Sequence, residues 1–111
     1  MATVEQYRTS VHNLIKGYAA HRRTDGGVET QCLLDKENDH YQLVNVGWEN
    51  GKRVYGCVLH IDIKGDKVWI QQNNTENYVA EELVDLGVPK ENIVLGFYSP
   101  FSRQFTGFAV H

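Results

Sequence analysis

Val44-Asn45-Val46-Gly47-Trp48-Glu49-Asn50-Gly51-Lys52-Arg53-Val54-Tyr55-Gly56-Cys57 decides the fold of this chain. Two strand-like runs flank Asn50-Gly51, a pair that tolerates the positive φ of the two-residue turn whose twist matches that of paired strands. The stretch therefore predicts a β-hairpin. Turn length fixes register, so Val44 is set opposite Cys57, Val46 opposite Tyr55 and Trp48 opposite Arg53, all on one face. Working outward, Lys64-Gly65-Asp66-Lys67 offers a second turn of the same length, and Lys36-Glu37-Asn38-Asp39 a polar turn with weaker turn chemistry. Four strands joined by three turns then fill the span from Val28 to Asn73.

Helical spacing appears on both sides of this meander. Val4, Tyr7, Val11, Leu14, Ile15 and Tyr18 recur at three- and four-residue steps, which predicts a helix from Val4 to about His21 with one buried stripe. Thr24-Asp25-Gly26-Gly27 breaks it and releases the chain into the first strand. A second helix is expected from Glu76 to Leu86, with Thr75 as N-cap and Gly87 just past its end. Beyond it, Ile93 to Tyr98 predicts a short strand or extended run, with irregular structure after Pro100. Phe97, Tyr98, Phe101, Phe105 and Phe108 are too many aromatics for a loose tail, so this segment is expected to pack on the domain or on a partner. The fold class is α+β: a four-stranded antiparallel β-meander with an N-terminal helix and a second helix packed on one face, and a C-terminal aromatic segment. With 111 residues the chain fits a single domain, residues 1–111.

Extending the hairpin register assigns two faces. Leu59, Ile61, Ile63, Val68 and Ile70 join Val44, Val46 and Cys57 on the expected core face. The other face collects Cys32, Leu34, Tyr41, Leu43, Val58, His60, Asp62, Trp69 and Gln71, with His60 opposite Gln71 on one side and Tyr41 on the other. This second face is half apolar, which calls for cover by the C-terminal segment, a subunit interface or a ligand groove. Leu43, Val58, His60, Trp69, Phe105 and Phe108 are accordingly the candidate partner-binding residues. Glu81 and Glu82, adjacent on the second helix, read as solvated surface. Trp48 beside Arg53 reads as a cation–π pair closing the hairpin.

Composition narrows the function. The net charge is −3, with Lys and Arg scattered rather than gathered into a basic face of the kind that holds phosphates. The nearest cluster, His21-Arg22-Arg23, reads first as a helix end and second, together with Lys16, as a DNA-binding patch that only a multimer would complete. Cys32 falls opposite Leu43 and Cys57 opposite Val44, on opposite sides of the sheet, so no disulfide is expected between them; both read as small buried hydrophobes. No cofactor and no metal site follows from the spacing. No apolar stretch approaches the ~20 residues that span a bilayer, and Met1 to Glu5 lacks signal-peptide character, so a cytoplasmic protein is expected.

The blocks Asp39-His40-Tyr41-Gln42-Leu43-Val44-Asn45-Val46-Gly47-Trp48 and Arg53-Val54-Tyr55-Gly56-Cys57-Val58-Leu59-His60-Ile61-Asp62-Ile63 resemble the XisI family of cyanobacterial excision-controlling proteins. So do Ala80-Glu81-Glu82-Leu83-Val84-Asp85-Leu86-Gly87-Val88-Pro89, Ile93-Val94-Leu95-Gly96-Phe97 and Phe105-Thr106-Gly107-Phe108-Ala109-Val110; the amino-terminal helix matches in pattern only. The resemblance implies a controlling factor for excision of the fdxN DNA element during heterocyst differentiation. In that system a separate recombinase cuts DNA and a XisH-like protein is the companion. It brings no catalytic residues.

The expected function is thus non-enzymatic: an accessory factor that binds a XisH-like partner, with a homo-oligomer as a further use of the second face. Recombinase chemistry would need a Ser or Tyr nucleophile backed by several Arg residues, and Arg8, Arg22, Arg23, Arg53 and Arg103 are dispersed. Two alternatives stand beside it: direct DNA binding by a multimer through Lys16, His21, Arg22 and Arg23, and a small enzyme using a groove around His60, Tyr41 and Asp62.

Overall fold

The computed structural model of the chain describes residues 3–21 and 27–111. Helix α1 (Val4–Ala20) begins where Thr3 closes a capping box: its hydroxyl accepts the Gln6 N–H, and the Gln6 side chain accepts the Thr3 N–H. Tyr7, Val11, Leu14 and Ile15 form its buried stripe, with Val4 and Tyr18 partly buried against the same core. The break expected at Thr24 to Gly26 lies outside the described residues.

Four antiparallel strands follow: β1 (Val28–Asp35), β2 (His40–Glu49), β3 (Lys52–Lys64) and β4 (Lys67–Asn73). Asn50 and Gly51 adopt φ of 52° and 77°, the left-handed pair that a two-residue hairpin turn requires. From that turn Trp48 pairs with Arg53, Val46 with Tyr55 and Val44 with Cys57, as turn length dictates. In the first turn the Asp35 carboxylate accepts the N–H groups of Glu37 and Asn38, the way short acidic side chains hold such turns.

The sheet is larger than a meander. After helix α2 (Val79–Asp85) and a 3₁₀ turn at Lys90–Asn92, strand β5 (Ile93–Leu95) pairs parallel to β4, giving a mixed five-stranded sheet in the order β1-β2-β3-β4-β5. Parallel neighbours need a crossover, which α2 supplies. Three residues of strand pattern cannot name their partner, so the sequence foresaw the extended run without its place in the sheet. The C-terminal segment is also more regular than expected: α3 (Pro100–Arg103) is capped by Ser99, and Ala109 bridges Val94, with the Ala109 N–H donating to Ile93 at 2.8 Å.

Helix α2 starts later than its spacing suggested. Thr75 bonds Asn73 and accepts the Asn77 N–H, so its hydroxyl holds a turn rather than capping the helix. At the other end Gly87, at φ 106°, sits where a left-handed residue ends a helix. The Val88 and Gly87 N–H groups donate to the carbonyls of Leu83 and Val84, closing the paired-bond terminus that such a residue permits.

Two bulges redistribute the faces. Register shifts between Leu43 and Val44 and between His60 and Ile61, so Leu43 pairs with Leu59, Tyr41 with Ile61, Gln42 with His60, and His60 with Gln72. Val58 is the extra residue in β3, and an extra residue reverses the side-chain phase beyond it. Tyr41 and Leu43 consequently join Leu59, Ile61, Ile63, Val68 and Ile70 under α1 and α2, with Cys32 and Leu34 packed against them. The expected pairing of His60 with Gln71 and Tyr41 is corrected accordingly. Beyond the bulge the hairpin runs past the helices, leaving Trp48 and Tyr55 exposed where the unbulged register made them core.

Candidate functional site

The face turned away from the helices carries His40, Gln42, His60, Asp62 and Trp69. The bulge at Val58 assembles its centre: counting from Val44 and Cys57 without it, His40 would face Ile61, whereas the shifted register sets it opposite Asp62. His40 Nδ1 and His60 Nε2 each lie 2.8 Å from Oδ1 of Asp62, and Gln71 Nε2 donates to Oδ2 at 3.1 Å. Asp62 is 6% exposed, the one buried polar or charged residue among the described residues. Burial pushes its carboxyl up, but the hydrogen bonds from His40, His60 and Gln71 outweigh that and hold it below the ordinary carboxylate value. The hydrogen bond to Asp62, and then its charge, raise the His40 imidazole above its usual value.

Trp69, paired with Asp62, has two cations within reach of its ring. Lys64 Nζ stands 4.8 Å from the ring centre and the Arg103 guanidinium 5.1 Å from it. Arg103 also donates to the carbonyls of Leu95, Gly96 and Val110, so one side chain ties α3, β5 and the chain end to the far face. Beyond it the aromatics stay in solvent. A groove of about 460 Å³ runs between the start of α2 and the C-terminal segment, lined by Tyr78, Phe97, Tyr98, Phe105 and Phe108 among others. Tyr78 and Phe105 are 78% and 73% exposed, and Phe101 stacks edge-on against Phe105 at 5.4 Å.

Comparison with known proteins places this architecture. The sequence profile described as XisI protein matches residues 1–110. The chain belongs to the XisI family. Its fold is similar to the crystal structure of a XisI-like protein from Anabaena variabilis ATCC 29413, at TM-score 0.94 and 47% identity over 98% of this chain and 100% of that one. It is also similar to the fdxN element excision controlling factor XisI from the same organism, at TM-score 0.85 and 30% identity over 96% of this chain and 97% of that one. No curated protein matches the sequence.

In this XisI-family chain the candidate residues separate. Leu43 and Val58 are 0% and 5% exposed in the helix-covered core, so neither presents a surface, a correction that follows from the bulge. His60 and Trp69 are half-buried on the far face, Phe105 is exposed, and Phe108 is half-buried beneath Lys90. Tyr41 is also core and donates its hydroxyl to Asp39 at 2.9 Å, which removes it from any groove with His60 and Asp62. Lys16 and His21 are exposed on and just after α1, with His21 Nδ1 2.8 Å from the Gly17 carbonyl; Arg22 and Arg23 lie outside the described residues.

Further readings are refined. Arg53 stacks over Trp48 at 5.7 Å as the hairpin register requires. Glu82 is half-buried and accepts the Tyr18 hydroxyl, so only Glu81 of that pair is plain surface. Cys32 and Cys57 face Leu43 and Val44 and are free, and burial pushes the Cys57 thiol up. The sequence reading missed His40 and Arg103. His40 is distant in the chain from Asp62, and Arg103 from Trp69, and only the bulged register and the parallel fifth strand bring them there.

Proposed function

We propose that this chain is a non-enzymatic controlling factor for DNA excision that works in the cytoplasm by docking on a XisH-like protein. The observation that carries the reading is the aromatic groove between α2 and the C-terminal segment, with Phe101 and Phe105 stacked at its rim. Aromatic side chains left in water are unfavourable unless a partner covers them, and they are the residue type that anchors interfaces. Membership of the XisI family and the likeness to an fdxN element excision controlling factor support the role. His60 and Trp69 on the adjoining far face, with Phe108 under the groove, extend the contact. Among the described residues no helix is long and apolar enough to cross a membrane.

Pull-down with the XisH-like product tests this. Wild-type chain should retain it, and Tyr78→Ser combined with Phe105→Ser should weaken retention by about tenfold or more while leaving the fold intact, as loss of interface anchors does. Retention unchanged by the double substitution would assign the groove another role. Failure of the wild-type chain to associate would remove the docking reading altogether.

A further inference from the structure

Three metal-ligating side chains meet on the far face, outside the lining of the aromatic groove. The ligand atoms of His40, His60 and Asp62 lie within 4.8 Å of one another, with both imidazole nitrogens 2.8 Å from one carboxylate oxygen. We propose that His40 Nδ1, His60 Nε2 and the Asp62 carboxylate form a site for a divalent transition-metal cation, with zinc the best-matched ion.

The donor set selects the chemistry. Two imidazoles and a carboxylate suit zinc and its neighbours, whereas calcium and magnesium are held by oxygen ligands in larger number. Zinc–nitrogen and zinc–oxygen bonds of about 2.0–2.2 Å in a tetrahedron separate ligand atoms by roughly 3.4 Å. The contacts at 2.8 Å would have to open, and ligand atoms as much as 4.8 Å apart to draw together, for the ion to enter. Backbone position is already set, because His40 and Asp62 are direct cross-strand partners and His60 lies two residues from Asp62 on the same face.

The surroundings also fit. Gln71 holds Oδ2 of Asp62 and leaves Oδ1 toward the two imidazoles, the orienting role that outer hydrogen bonds play around metal ligands. The His40 side chain is 54% exposed and opens the cluster to solvent, while Asp62 beneath it is buried. Three protein ligands leave a fourth position for water. On binding, the ion takes the position of the ring proton directed at Asp62; a neutral imidazole carries that proton on its other nitrogen instead, and only an imidazolium releases one to solvent.

Calorimetric titration of the chelator-treated full chain with zinc chloride at about pH 7.5 tests the site. The expected result is one ion per chain, with affinity reduced at least about tenfold in His40→Gln and in His60→Gln and unchanged in His12→Gln. Cobalt(II) as a second probe should give the intense visible bands of a tetrahedral site in wild type, and these should be lost in His60→Gln. Circular dichroism of each variant confirms its fold; if His60→Gln unfolds, the more exposed His40→Gln carries the comparison. No saturable binding by wild type, or equal affinity in wild type and His40→Gln, would overturn the proposal.

Discussion

The two faces of the central strands differ more than their sequences do. On the helix-covered face Tyr41, Leu43, Leu59 and Ile61 are fully buried, while one residue along the same strands His40, Gln42, His60 and Asp62 make a polar far face. Alternation along β2 and β3 writes both surfaces at once, and the extra residue at Val58 decides which belongs to which. One inserted residue thus creates the core and the histidine–aspartate cluster together. The covered face holds the fold through apolar burial, and the far face contributes hydrogen bonds that converge on the buried Asp62.

Deleting Val58 tests the comparison directly. Straight pairing from the Asn50-Gly51 turn would then set Leu43 opposite Leu59 and Tyr41 opposite Ile61 with no bulge, so the deleted chain should keep a cooperative unfolding transition by circular dichroism. Loss of that transition would show that the bulge does more than offset the register by one residue. Leu59→Ala keeps the register and empties part of the covered face. Denaturant unfolding should then record a loss of about 2–5 kcal/mol, as for other fully buried leucines.

Phe105→Ser sharpens the contrast from the exposed side. Its ring is 73% exposed, so unfolding free energy should change by no more than about 0.5 kcal/mol, even as partner retention falls. The smallest effect concerns the cover itself. His12 on α1 is held below its ordinary value of 6.5 by burial, then by Lys36 and Lys16. The unfolded chain therefore binds more protons once pH drops below 6.5, and stability falls as pH decreases through that range. Unfolding curves of His12→Gln should lack this part of the slope; an unchanged pH profile would clear His12.

How much was legible depends on distance from a turn. Near Asn50-Gly51 the pairs Val44–Cys57, Val46–Tyr55 and Trp48–Arg53 follow from turn chemistry, and the structure has them. Past Val58 the same counting fails for Tyr41 and His60, because β-branched Val58 carries no sign that it is an extra residue. The α1 stripe was readable from spacing because a helix sets its period locally. Thr75 was misread because its side chain serves a turn and a cap equally well, and only Asn73 and Asn77 settle the choice.

By itself the sequence determined the amphipathic first helix, the hairpin turns and the family, since each rests on neighbours within a few residues or on long ordered blocks. The tertiary structure alone decided the parallel fifth strand, the sorting of Tyr41 and Leu43 into the core, and the meeting of His40 with Asp62. Those depend on where a bulge falls and on a crossover closing against β4, which are energies of packing between distant segments that no local pattern encodes.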